Sequence, residues 1–347
     1  MPSPAPPIPL VLLCGISDTG RERISVRSGT EADIVLTGTS SFEQHLTPGR
    51  FEKRRVWLDG NPKQGQVRVP PGPLVNYIAD PDSHGNALGK AVALVEQLGR
   101  PCFNPPRLVA RTQRDEVARR LTGIPGLRVP ATVRLTPTHP RDFPAAVETN
   151  GLSYPVIVRL AGDHGGVSMV RIDGPSGWDA VFGLAWGGRA VYLTEFVDYR
   201  DGDGFYRKHR IALVRGEPLP RHVVIGNEWL LHVSKRLKEQ RFLDEEIGRL
   251  QRFDAETLPA IRGVLSEIHR RIGLDYFGVD CHLADDGTLT LFEANATMNI
   301  LFGLPSPNHW DAFRGCIRAR LEEALLAHAR HSAALLRQQA EGAGSPH

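Results

Sequence analysis

Two carboxylates and an amide on one face of a hairpin can hold a hard divalent cation, and Asp280, Glu293 and Asn295 form such a set. The stretch LFEANATMN carries Glu293 and Asn295 in an otherwise apolar run. Just upstream, two apolar-rich segments flank Asp286-Gly287, a dipeptide favoured in two-residue hairpin turns. With Asp285 paired to Thr288, counting outward sets Asp280 opposite Glu293, and cross-strand partners share a face. Val279, Cys281, Leu283, Phe292 and Ala294 then form the other face, which reads as core. Opposed carboxylates repel and lose hydration, so the pair needs a cation or a shared proton. Magnesium suits such oxygen ligands and keeps its other positions for water and phosphate. The competing reading is a solvated hairpin edge whose acids bind nothing.

Other residues with chemical potential lie upstream. YPVIVRLAGDHGGVSMVRI reads as two β-rich runs joined by a glycine-rich tip, Gly162 to Gly166. Backbone N–H groups at Gly165 and Gly166 can approach a phosphate closely, although many glycine tips serve turn geometry alone. Arg159 is a cation in an apolar strand, either snorkelling at an edge or touching phosphate. AVYLTEFVDY reads as a buried strand ending in acid. The charge-dense FVDYRDGDGFYRKHR is expected to be mobile, and HVSKRLKEQR to form a solvated helical face or a basic pocket. Cys281-His282 beside the acids invites a zinc reading, but the register puts Cys281 in the core and leaves only His282 on the metal face.

These pieces need a scaffold, and 347 residues are enough for two or three packed lobes. A net charge of +3 is too slight to argue for nucleic acid or a membrane surface. Small molecules or proteins are the expected partners. Cys14, Cys102, Cys281 and Cys316 form no CxxC pair, which speaks against structural zinc or a disulfide framework and for a cytoplasmic setting. MPSPAPPIPLVLLCG lacks a basic n-region and reads as a first buried strand, and no apolar stretch is long enough to span a bilayer. Short apolar runs (VLLCG, DIVLTG, RRVWLDG, LVNYIAD) and the helical ALGKAVALVEQLG predict an α/β lobe over residues 1–104. Pro105-Pro106 marks a boundary, residues 105–190 a central lobe and 191–337 a C-terminal lobe. RTQRDEVARRL, ETLPAIRGVLSEIHRRIG and DAFRGCIRARLEEALLAHARH read as helices, GLRVPATVRL as a strand, and RIALVRGEPLPRHVVIG as a hairpin. The tail 338–347 is expected to fray.

In this order the segments resemble the ATP-grasp superfamily over about residues 105 to 305, in particular ribosomal-protein glutamate ligases, glutathione synthetases and D-alanine–D-alanine ligases. Phrases such as FNPP, IPGLRVP and FEANATM are similar to bacterial ATP-grasp domains sometimes attached to tetratricopeptide repeats. The resemblance implies an α/β (α+β) ATP-grasp fold: an N-terminal α/β lobe, a small central lobe and a C-terminal antiparallel-sheet lobe. Asp280, Glu293 and Asn295 look like that family's magnesium triad, for one or two ions, with manganese an alternative. Gly165 and Gly166 look like its phosphate loop, and Glu195, Phe196 and Val197 like its adenine hinge. Arg114 and Arg159 stand where relatives often carry lysine, keeping the charge but changing the geometry. Lys208 and Arg210 match positions aimed at phosphate or ribose. The implied reaction is ATP-dependent carboxylate–amine or peptide ligation through an acylphosphate, with Arg210 and Arg221 as catalytic cations. His222, His232, Lys235, Arg236 and Asn299 are candidates for substrate contact, each with a plain surface or capping role as its alternative. The same fold also houses inositol-phosphate kinases, and the arginine replacements raise a non-catalytic ATP-binding module. Relatives are often dimers or tetramers, which leaves a homo-oligomer open.

Overall fold

The apolar run IPLVLLCG forms the strand Ile8–Gly15, inside a parallel sheet ordered Phe51–Leu58, Ile8–Gly15, Leu74–Asn76, Cys102–Phe103. Leu10 to Cys14 are wholly buried, since a parallel strand is covered on both faces. The helix Gly85–Leu98 packs here through Ala87, Leu88 and Ala91, and ends at Gly99, whose φ of 59° closes the last turn. The structure, a computed structural model, describes residues 6–20, 23–26, 32–35, 37–58, 67–166, 168–303 and 308–343. DIVLTG stays out of this sheet: Ala32–Val35 pairs with Arg23–Val26 in a separate two-stranded ladder.

A second, antiparallel sheet is ordered Val170–Ile172, Val156–Leu160, Val191–Glu195, Thr132–Leu135. Phe143 and Val147 of the helix Asp142–Thr149 cover it, packing with Val156, Val158, Val191 and Leu193. The third sheet is ordered Glu217–Gly226, Tyr206–Val214, Tyr276–Leu283, Leu289–Asn295, Leu127–Arg128, with only the last pairing parallel. Two placements cut across the expected lobes. Val191–Glu195 belongs to the second sheet, although a division at 190/191 assigns it to the C-terminal lobe. GLRVPATVRL is not one strand: it breaks at Pro130, giving Leu127–Arg128 to the third sheet and Thr132–Leu135 to the second. Proline has no N–H for a ladder and pushes its neighbour off helical geometry, so it serves as the crossing point.

Two helices brace the third sheet. Leu258–Ile272 presents Ile261, Leu265, Ile268 and Ile272 in one stripe against Phe277, Val279 and Cys281. Each of these aliphatic side chains contributes roughly 1.5–3 kcal/mol by leaving water. The same core includes Val11, Leu13 and Leu74 of the first sheet, whereas the second sheet keeps a separate one. The helix Asp311–Ala343 packs Ile317, Leu321 and Leu325 against Ile300 and Leu301, which fixes the loop after Asn295. That helix runs past Gln338, where fraying is expected, through Ala343. Residues 344–347 lie outside the described residues. No helix among the described residues is long and apolar enough to cross a membrane.

Candidate active site

Asp280 does stand opposite Glu293, and Gly278 opposite Asn295, but by a different route from the one the turn dipeptide suggests. The loop holds three residues, Asp285-Asp286-Gly287: the Ala284 N–H donates to Thr288 O at 3.0 Å, and Gly287 has φ 84°. Leu283 therefore pairs with Leu289 rather than with Thr290. A bulge between Asp280 and Cys281 then skips Phe292 and restores the Asp280–Glu293 pair. The two offsets cancel. Phe292 accordingly leaves the core face expected for it and lines the cleft, with its ring 4.6 Å from that of Tyr199. Val279, Cys281 and Ala294 remain in the core.

A second bulge does the same for Arg221. Arg210 pairs with His222 and Ile211 with Pro220, so Arg221 has no ladder partner and lines the cleft. Pro220 donates nothing to a ladder, which makes this the natural place for the irregularity.

Asp280 is 3% exposed. Burial pushes its pKa up, but Arg210 and Lys208 outweigh burial and hold the carboxyl far below its usual range. Arg210 grips it with Nε at 2.7 Å and Nη2 at 2.9 Å, while Lys208 Nζ stands at 3.4 Å. Glu293 follows the same logic: burial raises it, Arg114 and Arg159 lower it, and the net shift is downward. Arg114 donates to Glu293 Oε1 and, at 3.3 Å, to Phe292 O. Asn295 donates from Nδ2 to Glu293 Oε1 at 2.5 Å, and its Oδ1 accepts from the Thr297 N–H and hydroxyl. Guanidinium groups thus supply the compensation that spacing alone assigns to a metal ion. The donor set still fits a hard cation, because both carboxylates are held ionised beside an amide and face a cleft open to water and phosphate. Among the described residues no group of three His, Cys, Asp or Glu side chains is placed to hold a metal. A cation here would complete its shell from water and phosphate oxygens.

The glycine-rich tip faces this cluster across the cleft. Gly165 and Gly166 have φ of 74° and 78°, and a Cβ on Gly166 would lie 3.0 Å from Leu230 Cδ1. Arg159 is 9% exposed and donates to Asp163 O at 2.5 Å. Burial, with Arg114 nearby, lowers its pKa to about 10. His164 Nε2 meets Asp80 Oδ2 of the N-terminal lobe at 3.0 Å. The tip is therefore tied to the N-terminal lobe through Asp80.

At the far end of the second sheet, Glu195, Phe196 and Val197 line the cleft with Thr132, Ile157 and Met169. Glu195 Oε1 accepts from the Ser153 N–H at 2.9 Å, and the Phe196 N–H donates to Pro155 O at 2.8 Å. The Val197 N–H has no partner among the described residues. Phe196 is a wall, with the Arg171 guanidinium 4.1 Å from its ring centroid and Trp229 edge-on at 5.6 Å.

The opposite end gathers Arg221, His222, Arg236, Asn299, Trp310 and Arg314. Arg221 donates to Ile300 O and, at 2.6 Å, to Phe302 O. Burial, then Arg314 and Arg210, lower its pKa to about 10. Burial, then Arg210 and Arg221, push the His222 pKa well below its usual value, and its Nε2 has no hydrogen-bond partner among the described residues. Arg236 lies 4.6 Å over the Trp310 ring and 3.3 Å from Glu246. His232 lines the cleft but is exposed, with Nδ1 on the Ser234 hydroxyl at 3.0 Å. Lys235 turns to Glu228 at 2.7 Å and does not line the cleft.

Two further expectations fail here. HVSKRLKEQR is no helical face: apart from a single turn at Val233–Lys235 it is a loop, and the helix Gln240–Gln251 starts only at its end. FVDYRDGDG is pinned, since Arg207 binds Asp201, Asp203 and Glu245 at 2.6–2.7 Å. Cys281 lies in the core, on the face the register gave it, and His282 faces Arg207 O at 3.1 Å and Asp201 at 3.5 Å. Residues with no sequence signal also line the site: Trp310, Arg314 and the Thr37–Ser41 loop of the N-terminal lobe.

No family model matches the chain, and no curated protein matches it. Solved structures do. The VanG D-Ala:D-Ser ligase from Enterococcus faecalis superposes with a TM-score of 0.54 at 14% identity, covering 93% of this chain and 99% of that one. The D-alanyl-alanine synthetase A from Vibrio cholerae gives 0.51 at 14% identity, over 94% and 98% of the two chains. A D-alanine–D-alanine ligase from Bacillus anthracis gives 0.50 at 12% identity, over 96% and 99%. With its three larger sheets, its opposed acids and these likenesses over nearly the whole length, the chain adopts the ATP-grasp fold.

Proposed function

We propose that this chain is an ATP-dependent carboxylate–amine ligase that forms an amide through an acylphosphate and releases ADP and phosphate. The observation that carries this reading is the phosphate end: Asp280 and Glu293 opposed on neighbouring strands, each gripped by cations, beneath a glycine tip. The solved ligases that share the fold support it. Asp280, Glu293 and Asn295 would hold magnesium or manganese, which would offset phosphate charge and favour phosphoryl transfer.

The chain's own groups have distinct work. Gly165 and Gly166 admit a phosphate to their backbone N–H groups, and Arg159 and Arg114 stand beside it as fixed positive charge. Lys208 and Arg210 reach the same region from the third sheet, and Arg221 joins it to the substrate end. Val197 offers a backbone N–H to a base edge, with Phe196 as the wall. The cleft encloses about 1230 Å³, more than the roughly 300–1,000 Å³ that houses one drug-sized ligand, so a nucleotide and a second substrate fit together.

The test is ADP release from Mg-ATP across pooled amino acids, dipeptides, polyamines and inositol phosphates, beside Glu293→Ala. Acceptor-dependent release that vanishes in the variant supports the ligase reading, and product masses separate amide formation from phosphorylation. Nucleotide binding without release from any pool would point to a regulatory module instead.

A further inference from the structure

One side chain of the glycine tip has no part in the chemistry above. His164 lines the cleft beside Gly165 and Gly166, with 48% of its side chain exposed. Its Nε2 meets Asp80 Oδ2 at 3.0 Å, and its Nδ1 has no hydrogen-bond partner among the described residues. Burial raises the Asp80 pKa, but hydrogen bonds from His164, Ser83 and the Asp82 N–H outweigh it and hold the carboxyl at about 2. An ionised carboxylate only accepts, so Nε2 carries a proton and Nδ1 is the position left for a ligand.

Asp80 is 3% exposed and belongs to the N-terminal lobe, so the tip takes this partner from outside its own sheet. The turn that carries it is tied on several sides. The Ala79 and Asp80 N–H groups donate to Gly38 O at 2.7 and 3.1 Å, and the Asp82 N–H and Ser83 hydroxyl donate to the Asp80 carboxylate at 2.9 and 2.6 Å. Asp82 in turn accepts from the Tyr192 hydroxyl at 2.8 Å. A post fixed in this way orients the ring rather than following it.

The ring also stands at the correct end of the cleft. Tyr192 and Glu195 share one strand and lie roughly 10 Å apart along it, with Glu195 at the hinge and Tyr192 at Asp82. The tip follows Leu160, which pairs with Val191, so it extends from the end away from the hinge. A nucleotide with its base at the hinge turns its phosphates this way. Glu293 and Arg114 are the next charges that act on the ring, which sets it beside the phosphate end. A carboxylate on one nitrogen stabilises the imidazolium, and the second N–H is then a charged donor for a phosphate oxygen.

Resting on the nucleotide site of the ligase reading, we propose that the His164 imidazolium donates from Nδ1 to the terminal phosphoryl group of ATP, with Asp80 as the positioning residue that orients the ring from the N-terminal lobe. The tip then supplies a side-chain donor in addition to its backbone N–H groups. A donor already oriented needs no rearrangement as charge shifts on the phosphoryl group.

Calorimetric titration of the full chain with Mg-ADP, and with the magnesium complex of an ATP analogue whose last two phosphorus atoms are bridged by an imido group, tests this without turnover at about pH 6.5. Glutamine can keep a hydrogen bond to Asp80 but carries no charge. His164→Gln should therefore weaken the analogue about tenfold and leave ADP within about twofold. Asp80→Asn should give the same selective loss in smaller measure. In the parent chain the ¹⁵N resonances of the His164 ring should move on adding the analogue and stay in place with ADP, a signature that a purely structural contact lacks. Equal losses for the two nucleotides, no loss for either, or equal movement of the ring resonances would overturn the inference, and the exposed ring makes His164→Gln informative even if Asp80→Asn does not fold. Failure of both nucleotides to bind would sink this inference and the ligase reading together. The ligase reading fails alone if the nucleotides are discriminated as described and no acceptor pool releases ADP.

Discussion

The two ends of the cleft handle charge in opposite ways. At the phosphate end Asp280 shares Arg210 and Lys208, and Glu293 takes Arg114, so the acids come with their own cations. At the substrate end Arg221 rests on backbone carbonyls, and no acid lines the wall among the described residues. On the proposed function the first arrangement would exchange partners: Asp280 and Glu293 would hold a divalent cation, and Arg210 and Arg114 would be free to meet phosphate. No charge is left buried and unpaired at any stage, which matters because an uncompensated buried ion costs several kcal/mol. In the second arrangement Arg221 has no carboxylate partner, and Arg236 and Arg314 pair with Glu246 and Asp311, which lie outside the cleft lining.

The largest effect should come from removing an acid at the phosphate end. Glu293→Ala leaves Arg114 and Arg159 facing the cleft alone, and Mg-ATP-dependent ADP release should fall by about 10²–10³-fold while far-UV circular dichroism is retained. Activity within a few-fold of the parent would place the chemistry elsewhere. Stability distinguishes the two ends directly. Arg210→Met leaves the buried Asp280 with Lys208 alone, at 3.4 Å, and should cost about 3–5 kcal/mol in urea unfolding, with Asp280→Asn in the same chain recovering much of it. Arg221→Met removes two bonds to carbonyls and no ion pair, so it should cost less, about 1–3 kcal/mol. Equal losses would erase the contrast.

Two smaller effects concern the glycine tip. Gly166→Ala adds a Cβ at φ 78° against Leu230, strain of about 1–3 kcal/mol that should appear as roughly a tenfold rise in KM for ATP. The smallest is a pH effect at His164. The hydrogen bond to Asp80 raises the His164 pKa above 6.5, and His164 in turn helps lower Asp80 to about 2 against the opposing effect of burial. A raised histidine stabilises the contact at low pH and loses it as pH climbs through the raised value, whereas the Asp80 contribution is lost only on acidification toward about 2. The His164 side chain is 48% exposed, so solvent screening limits the pair to less than about 1 kcal/mol. Hydrogen exchange of the Gly162–Gly166 amides should rise faster than its intrinsic rate as pH climbs above 6.5, and that excess should disappear in His164→Gln.

How much of this was legible in the residues depends on range. The helices Gly85–Leu98, Arg114–Leu121 and Leu258–Ile272 follow their apolar spacing. The hairpin Tyr206–Val214/Glu217–Gly226 follows its turn. GLRVPATVRL misleads because strand propensity says nothing about which sheet a strand joins, and Pro130 sends its two halves to different ones. HVSKRLKEQR misleads because charge spacing mimics a helical face when the run is a loop lining the cleft. Asp280 and Glu293 are found through a register that is one residue off at the turn and corrected by a bulge no local rule announces.

By itself the sequence determined the identity of the ligand-type residues and their proximity along the chain: two acids and an amide near one turn, glycines at one tip, apolar stripes of the right period. Those depend on neighbours a few residues away, where backbone geometry is restrictive. Tertiary structure alone decided which cations compensate the acids, that Arg221 and Phe292 swing into the cleft at bulges, and that Asp80 meets His164. It also decided that Trp310 and Arg314 wall the substrate end. These are contacts between segments far apart in the chain, and they are fixed by how buried faces pack rather than by any spacing within one segment.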